Sequence, residues 1–332
     1  MGMATPLRTG LRPDAIAAFR NRLQKNFRHW SRWARRHETT AFRVYDRDVP
    51  EFPLAIDCYG PAEPALGMRL HLQELETGWV QKPEEHAAWI EAVRNAAAAA
   101  MDVPAQHIAF KHRPRRHAGA QHEKTGKAGQ DFLVVEGGLR FWVNLEAYLD
   151  TGLFLDHRAL RARVREQARG RRMLNLFAYT GSFTVHAAAG GAVSSTSVDL
   201  SNAYLAWAGR NFAANGVDRE RHRLVRADVL RWLQEAPGSA TRYDLIVLDP
   251  PVFSNSAAMT GTLDVQRDHP QLIASCLRLL APGGELYFST NLRSFAMAPE
   301  LTAQCQDITA ATRAEDFRDP RVHQAFLFRA PS

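Results

Sequence analysis

The chain has 332 residues, 45% of them hydrophobic and 23% charged, the composition of a folded protein large enough for about two domains rather than of a disordered or fibrous one. No apolar run approaches the roughly 18 residues that cross a bilayer, Met1–Arg12 lacks the apolar core of a secretory signal, and Cys58, Cys276 and Cys305 are too scattered for a disulfide framework or a zinc site, so the sequence predicts a cytoplasmic protein with no metal and no membrane contact. Lys plus Arg exceeds Asp plus Glu by 42 minus 35, a net charge of +7 with a pI near 9.6, which points to a polyanionic partner.

The first predicted element, within residues 1–40, is a basic amphipathic helix that opens at Pro13 with Asp14 as N-cap and runs to about His37. From Arg20 to Arg36 seven side chains are basic and none is acidic. Phe19, Leu23, Phe27, Trp30 and Ala34 recur every three or four residues, so the aromatic rings belong to an apolar stripe. Arg22, Lys25, Arg28, Arg32 and Arg35 are left as the RNA-binding candidates. A charge run is often only a solvated face, but two more follow, at 111–127 and 158–172.

Residues 41–146 read as a small α+β domain. Phe42–Val44, Leu54–Cys58 and Met68–Leu72 alternate as half-buried strands do, a helix spans Glu84–Ala100, and strands recur near His107–His112, Asp131–Glu136 and Leu139–Leu145, in a mostly antiparallel arrangement. The glycine-containing segment 113–129 reads as a long loop that closes on a ligand, with Arg113, Arg115 and Arg116 as further RNA contacts.

In residues 147–332 the grammar changes. Strands at Met173–Phe177, Ser194–Val198, Arg223–Val225, Tyr243–Leu248 and Glu285–Ser289 alternate with helices such as Phe183–Ala189, Asn202–Asn215 and Val265–Leu280, and two last strands lie near Ile308 and Phe326. This predicts an α/β fold, a seven-stranded, mostly parallel, doubly wound Rossmann-like sheet of the class I methyltransferase kind.

In such a sheet the ligand sits at the carboxyl ends of the strands, so the residues after each apolar run carry the information. The first strand is followed by Phe177, Tyr179, Thr180, Gly181 and Ser182, where Gly181 permits close backbone approach at a helix start. The second ends at Asp199, with Leu200 and Ser201, where a carboxylate can accept from both ribose hydroxyls. The third ends at Asp228 and Val229, placed for an adenine amino group, and the fourth at Asp249-Pro250-Pro251. Helix capping is the plain alternative for Asp199 and Asp228. No G-x-G-x-x-G cradle for a pyrophosphate follows the first strand, which disfavours a dinucleotide. S-adenosylmethionine, with no phosphate and with S-adenosylhomocysteine as product, suits one glycine turn and three carboxylates converging on a single cleft.

The runs Tyr148–Arg158, Leu174–Phe183, Asp249–Ser256 and Asp264–His269 resemble the guanine-N7 methyltransferase half of the bifunctional 23S rRNA enzymes RlmKL, and the likeness extends through Asn21–Asn26 and Tyr45–Pro50. The resemblance implies methyl transfer to guanine N7 in 23S rRNA, free or in a pre-ribosomal particle, with Asp156 and Arg158 bordering the cofactor. Asp156 is also read as capping the next helix. The guanine-N2 half of those enzymes has no counterpart in this chain, so a separate guanine-N2 rRNA methyltransferase is the implied functional partner. Chemistry agrees with N7: methylation of cytosine C5 needs a cysteine thiolate beside the base, and no cysteine follows the fourth or fifth strand. Guanine N7 carries a lone pair and no proton, so Asp249, Pro250, Phe253 and Asn255 need only orient an extruded base, with Phe253 stacking on it. His157 is excluded from a relay with its neighbour Asp156, and His186 is assigned to core packing. The rivals are transfer to guanine N2 or cytosine C5, and a non-catalytic RNA-binding protein that retains a vestigial methyltransferase fold.

Overall fold

The structure is a computed structural model that describes residues 12–77, 82–113, 129–235, 242–255 and 261–331. The described residues divide into two compact units, one holding those from Arg12 to Gly138 with Asn144–Leu149, the other Leu139–Val143 and those from Asp150 onward.

The first unit holds α1 (Pro13–Arg36), β1 (Ala41–Asp46), β2 (Leu54–Tyr59), β3 (Arg69–Leu75), α2 (Pro83–Met101), β4 (Ile108–Arg113) and β5 (Asp131–Glu136). Its four-stranded sheet runs β1-β2-β3-β4, antiparallel except for the parallel pair β3–β4. The helix predicted as a separate N-terminal element is part of this unit. Phe19, Leu23 and Trp33 of α1 pack with Ile56 and Leu72 of the sheet and with Trp89 and Val93 of α2. Asp14 is not the cap: Arg12 holds that position, Pro13 occupies the first turn, where its missing N–H costs nothing, and Asp14 pairs with Arg12 at 2.8 Å.

The second unit contains β6 (Leu139–Asn144), whose last residue belongs to the first, then α3 (Arg158–Gln167), β7 (Arg172–Leu176), α4 (Ser182–Ala189), β8 (Ser194–Asp199), α5 (Asn202–Ala214), β9 (His222–Arg226), α6 (Val229–Glu235) and β10 (Tyr243–Leu248). The short strands β11 (Phe253–Ser254) and β12 (Leu263–Asp264) precede α7 (Val265–Leu279), β13 (Leu280–Thr290), α8 (Pro299–Thr302), β14 (Cys305–Asp307), α9 (Thr309–Thr312) and β15 (Gln324–Arg329). Seven strands form one sheet in the order β14-β15-β13-β10-β7-β8-β9, parallel from β13 through β9, with β15 antiparallel to both its neighbours.

The sheet is covered on both faces, which is why its central strands read as continuous apolar runs. In β10, Leu245 and Val247 pack with Leu160 and Val164 of α3, while Ile246 and Leu248 pack with Leu272, Ile273 and Cys276 of α7. The strand order reverses between β7 and β10, and the crevice at such a switch point is where doubly wound sheets bind ligands.

The run Asp264–His269 is explained by helix chemistry. Asp264 accepts from the backbone N–H groups of Gln266 and Arg267 at 2.9 and 3.2 Å, capping α7. Pro270 has no N–H for the Gln266 carbonyl, and His269 Nδ1 supplies a donor there at 2.9 Å while its Nε2 accepts from the Ala298 N–H.

Candidate active site

A cavity of about 440 Å³ opens at the carboxyl ends of β7, β8, β9 and β10, within the usual range for small-molecule sites. Asp199, Asp228 and Asp249 all line it. The three carboxylates that the sequence put at successive strand ends therefore share one cleft.

Each is oriented by hydrogen bonds. Asp199 Oδ2 accepts from the Tyr179 N–H at 2.8 Å and Oδ1 from the Ser201 N–H at 2.9 Å, which ties the β7–α4 turn to the β8–α5 turn. Asp228 Oδ1 accepts from the Leu230 N–H at 3.0 Å, so it caps α6 and lines the cavity at once. Asp249 Oδ1 accepts from Ser289 Oγ on β13 at 2.6 Å and lies 3.6 Å from His157 Nε2.

The β7–α4 turn, bonded to Asp199, forms another part of the wall. Phe177 and Tyr179 have left-handed backbone angles, φ 57° and 50°, uncommon for non-glycine residues and persistent only where surroundings over-determine them. Tyr179 is fixed by its bond to Asp199 and by ring contacts with Phe154 (5.0 Å) and Tyr204 (4.6 Å). Ser182 at the start of α4, Leu200, Ser201 and Val229 complete the predicted cofactor residues that line the cavity.

Several predicted residues do not line it. Thr180 is fully buried and donates its hydroxyl to the Gly152 carbonyl at 2.7 Å. Gly181 (φ 72°) is needed for helix packing rather than for ligand approach, because a Cβ there would meet Phe212 at 2.9 Å and Ala208 at 3.0 Å. Arg158 is buried and bonded to Asp316 at 2.7 Å, an ion pair with no access to the cavity wall. Asp156 caps no helix, since His157 precedes α3 without a side-chain cap; its carboxylate lies 3.5 Å from His323 Nδ1. Phe253 pairs with Asp264 in the β11–β12 ribbon and Asn255 is exposed, so neither borders the cavity, and Pro250, Pro251, Ser254 and Asn291 do. Arg115 and Arg116, the side chain of Arg113 and the proposed closing loop lie outside the described residues. Arg22, Lys25, Arg28, Arg32 and Arg35 are all exposed along α1.

A family model for S-adenosylmethionine-dependent methyltransferases matches residues 79–314. The chain belongs to that family. The methyltransferase is 52% identical over 96% of its length to "Ribosomal RNA large subunit methyltransferase K" of Neisseria meningitidis serogroup B, covering 88% of that protein. It is 45% identical over 94% of its length to the K/L enzyme of Methylococcus capsulatus, spanning 42% of that longer chain. A crystal structure of a methyltransferase complexed with SAH superposes with a TM-score of 0.74 at 25% identity, covering 98% of this chain and 84% of that one.

The methyltransferase uses S-adenosylmethionine, and the cavity suits that cofactor. Carboxylates at the ends of β8 and β9 suit the hydroxyl and amino donors of a nucleoside, and the aromatic walls suit an adenine and a sulfonium. Sequence reasoning missed Asp150, Phe154, His157, Arg161, Tyr204, Arg226 and Asn291 in the wall. Asp150, Phe154 and His157 sit inside the run 148–158 that carries the family likeness, and Asn291 directly follows β13, the position that the strand-end rule marks. Nothing local marks Arg161 or Tyr204, which reach the cavity from α3 and α5.

No helix among the described residues is long and apolar enough to cross a membrane.

Proposed function

We propose that this methyltransferase transfers the methyl group of S-adenosylmethionine to N7 of a guanine in 23S rRNA, acting in the cytoplasm. The observation that carries the target class is the Asp249-Pro250-Pro251 rim of the cavity with no cysteine beside it. Among the described residues the three thiols lie elsewhere: Cys58 in the core of the first unit, Cys276 on the buried face of α7 and Cys305 on β14. Burial pushes the Cys276 thiol far up, away from the thiolate that C5 methylation requires. The large-subunit rRNA named for both relatives supports the substrate.

The cofactor supplies an electrophilic methyl on a sulfonium, and the chain supplies orientation and a dry site. Asp199 takes the ribose hydroxyls, Asp228 the adenine amino group, and Phe177, Tyr179 and Ser182 border the amino-acid end. An extruded guanine lies on Pro250 and Pro251, and its N1–H and 2-amino group donate to Asp249, with Ser254 and Asn291 adding polar contacts. N7 bears no proton, so no residue has to act as a base. The exposed basic face of α1 grips the RNA backbone.

One observation favours a second reading. A carboxylate at the rim also suits the 2-amino group as the methyl acceptor, because that nitrogen has hydrogens to donate. Incubation of the protein with 23S rRNA and S-adenosylmethionine, followed by nuclease digestion and mass spectrometry, separates the two. The expected product is 7-methylguanosine. N2-methylguanosine would establish the second reading, and no transferred methyl would overturn both. Asp249→Ala should lower the rate about 100-fold, the scale of a misplaced reacting group.

A further inference from the structure

His157 is the buried group that the reading so far does not use. It is 4% exposed at the cavity wall, and neither ring nitrogen has a hydrogen-bond partner within ordinary distance. Its Nε2 lies 3.6 Å from Asp249 Oδ1, and its Nδ1 lies 3.9 Å from Asp156 Oδ2. His323, 1% exposed on the segment before β15, turns Nδ1 toward the same Asp156 oxygen at 3.5 Å and bonds to Thr312 Oγ1 through Nε2 at 3.3 Å. Phe154 and Phe183 meet the His157 ring edge-on at 6.2 and 5.9 Å, and His323 stacks on it at 4.9 Å. Aromatic rings on three sides leave it little freedom to turn.

Two histidines and a carboxylate in one cluster suggest a metal site. The geometry argues against one. Imidazole lone pairs lie in the ring plane, whereas the two rings are stacked at 24° to each other, so their nitrogens do not converge on a point about 2.1 Å from both. Desolvation by burial holds the His157 imidazole below its ordinary value, although Asp249 and Asp156 both pull the other way. A neutral imidazole has one N–H to place, and the carboxylate facing the cavity is the one whose orientation matters for binding.

We propose that His157 is a positioning residue: its Nε2–H, together with the Ser289 hydroxyl, holds the Asp249 carboxylate in the orientation that grips the target base, while the stacked His323 ring and the edge-on Phe154 and Phe183 rings keep the imidazole from turning. This rests on the reading of Asp249 as the base-facing group. The 3.6 Å separation shortens to a hydrogen bond when the base is bound, as catalytic contacts in ligand-free sites commonly do.

The test uses the intact protein and two amides. His157→Gln places an amide N–H near the position of Nε2, and His157→Asn places one near Nδ1. The expected result is kcat within about threefold of wild type for His157→Gln and at least tenfold lower for His157→Asn, with S-adenosylmethionine Kd by calorimetry within about twofold in both and Tm in both within a few degrees. Equal losses in the two variants that follow their Tm values would reduce His157 to a packing residue and overturn the proposal. Unaltered kcat in His157→Asn would do the same, as would stoichiometric zinc in the purified protein. If Asp249→Ala remained fully active, the reading of Asp249 itself would fail, whatever the two amides showed.

Discussion

The basic face of α1 and the carboxylate cavity are built on opposite plans. Arg22, Lys25, Arg28, Arg32 and Arg35 are exposed, and none of them forms an ion pair with another described residue; Arg32 Nε donates to the Arg28 carbonyl one turn back at 3.1 Å, a bond that solvent can replace. In the cavity, Asp199, Asp228 and Asp249 each accept a hydrogen bond from a neighbouring turn or strand that fixes where the carboxylate points. A polyanion can be held by mobile cations through counterion release, which is insensitive to a few ångströms. A methyl group is transferred only when acceptor and sulfonium are aligned, so the groups that set that alignment are locked in advance.

The largest effect expected from breaking this contrast is in the cavity. Asp199→Ala removes the carboxylate proposed to accept from the ribose and the partner of two backbone N–H groups, and S-adenosylmethionine should bind about ten- to a hundredfold more weakly by calorimetry. Unchanged affinity would place the cofactor elsewhere. On α1, joint replacement of Arg28, Arg32 and Arg35 by Gln should weaken RNA binding and flatten its logarithmic salt dependence by about 0.7 per lost contact on single strands, while cofactor affinity stays constant. A salt slope equal to wild type would move the RNA surface away from α1.

Gly181→Ala should destabilise the protein by about 1–3 kcal/mol in denaturant titration, because the new Cβ meets α5 and the backbone is left-handed. Cofactor affinity of the folded protein should barely change; a loss of affinity without a loss of stability would restore the glycine to a ligand-approach role. The smallest effect is with pH. Burial holds His157 and His222 below the ordinary imidazole value of about 6.5, so the unfolded chain binds more protons than the native one just below that value. Stability is therefore undiminished above pH 6.5 and falls as the pH drops through it. Melting temperatures between pH 8 and 5.5 should show the fall, and it should shrink in the double variant His157→Gln/His222→Gln.

Much of the second unit was legible because its signals are local. Buried parallel strands are continuous apolar runs, and the residue that ends each run is placed at the ligand edge by the fold itself. The carboxylates Asp199, Asp228 and Asp249 were found that way. Local signals decide less where a residue's character suits more than one partner. Gly181 suited a ligand turn as well as a helix contact, and only the position of Phe212 decides between them. Arg158 has the charge of a cofactor contact, yet its partner Asp316 lies 158 positions along the chain. Phe253 stands two residues past the Asp249-Pro250-Pro251 motif, but the β11–β12 ribbon keeps it out of the cavity wall.

By itself the sequence determined the doubly wound architecture, the convergence of three strand-end carboxylates and the basic stripe of α1, because periodicity and strand ends are properties of short segments. Only the tertiary structure decided that α1 shares a core with the first sheet, that His157 faces Asp249, and which neighbours of the glycine turn border the cavity. Those outcomes depend on side chains far apart in the chain competing for the same few ångströms, and no local pattern records who wins that competition.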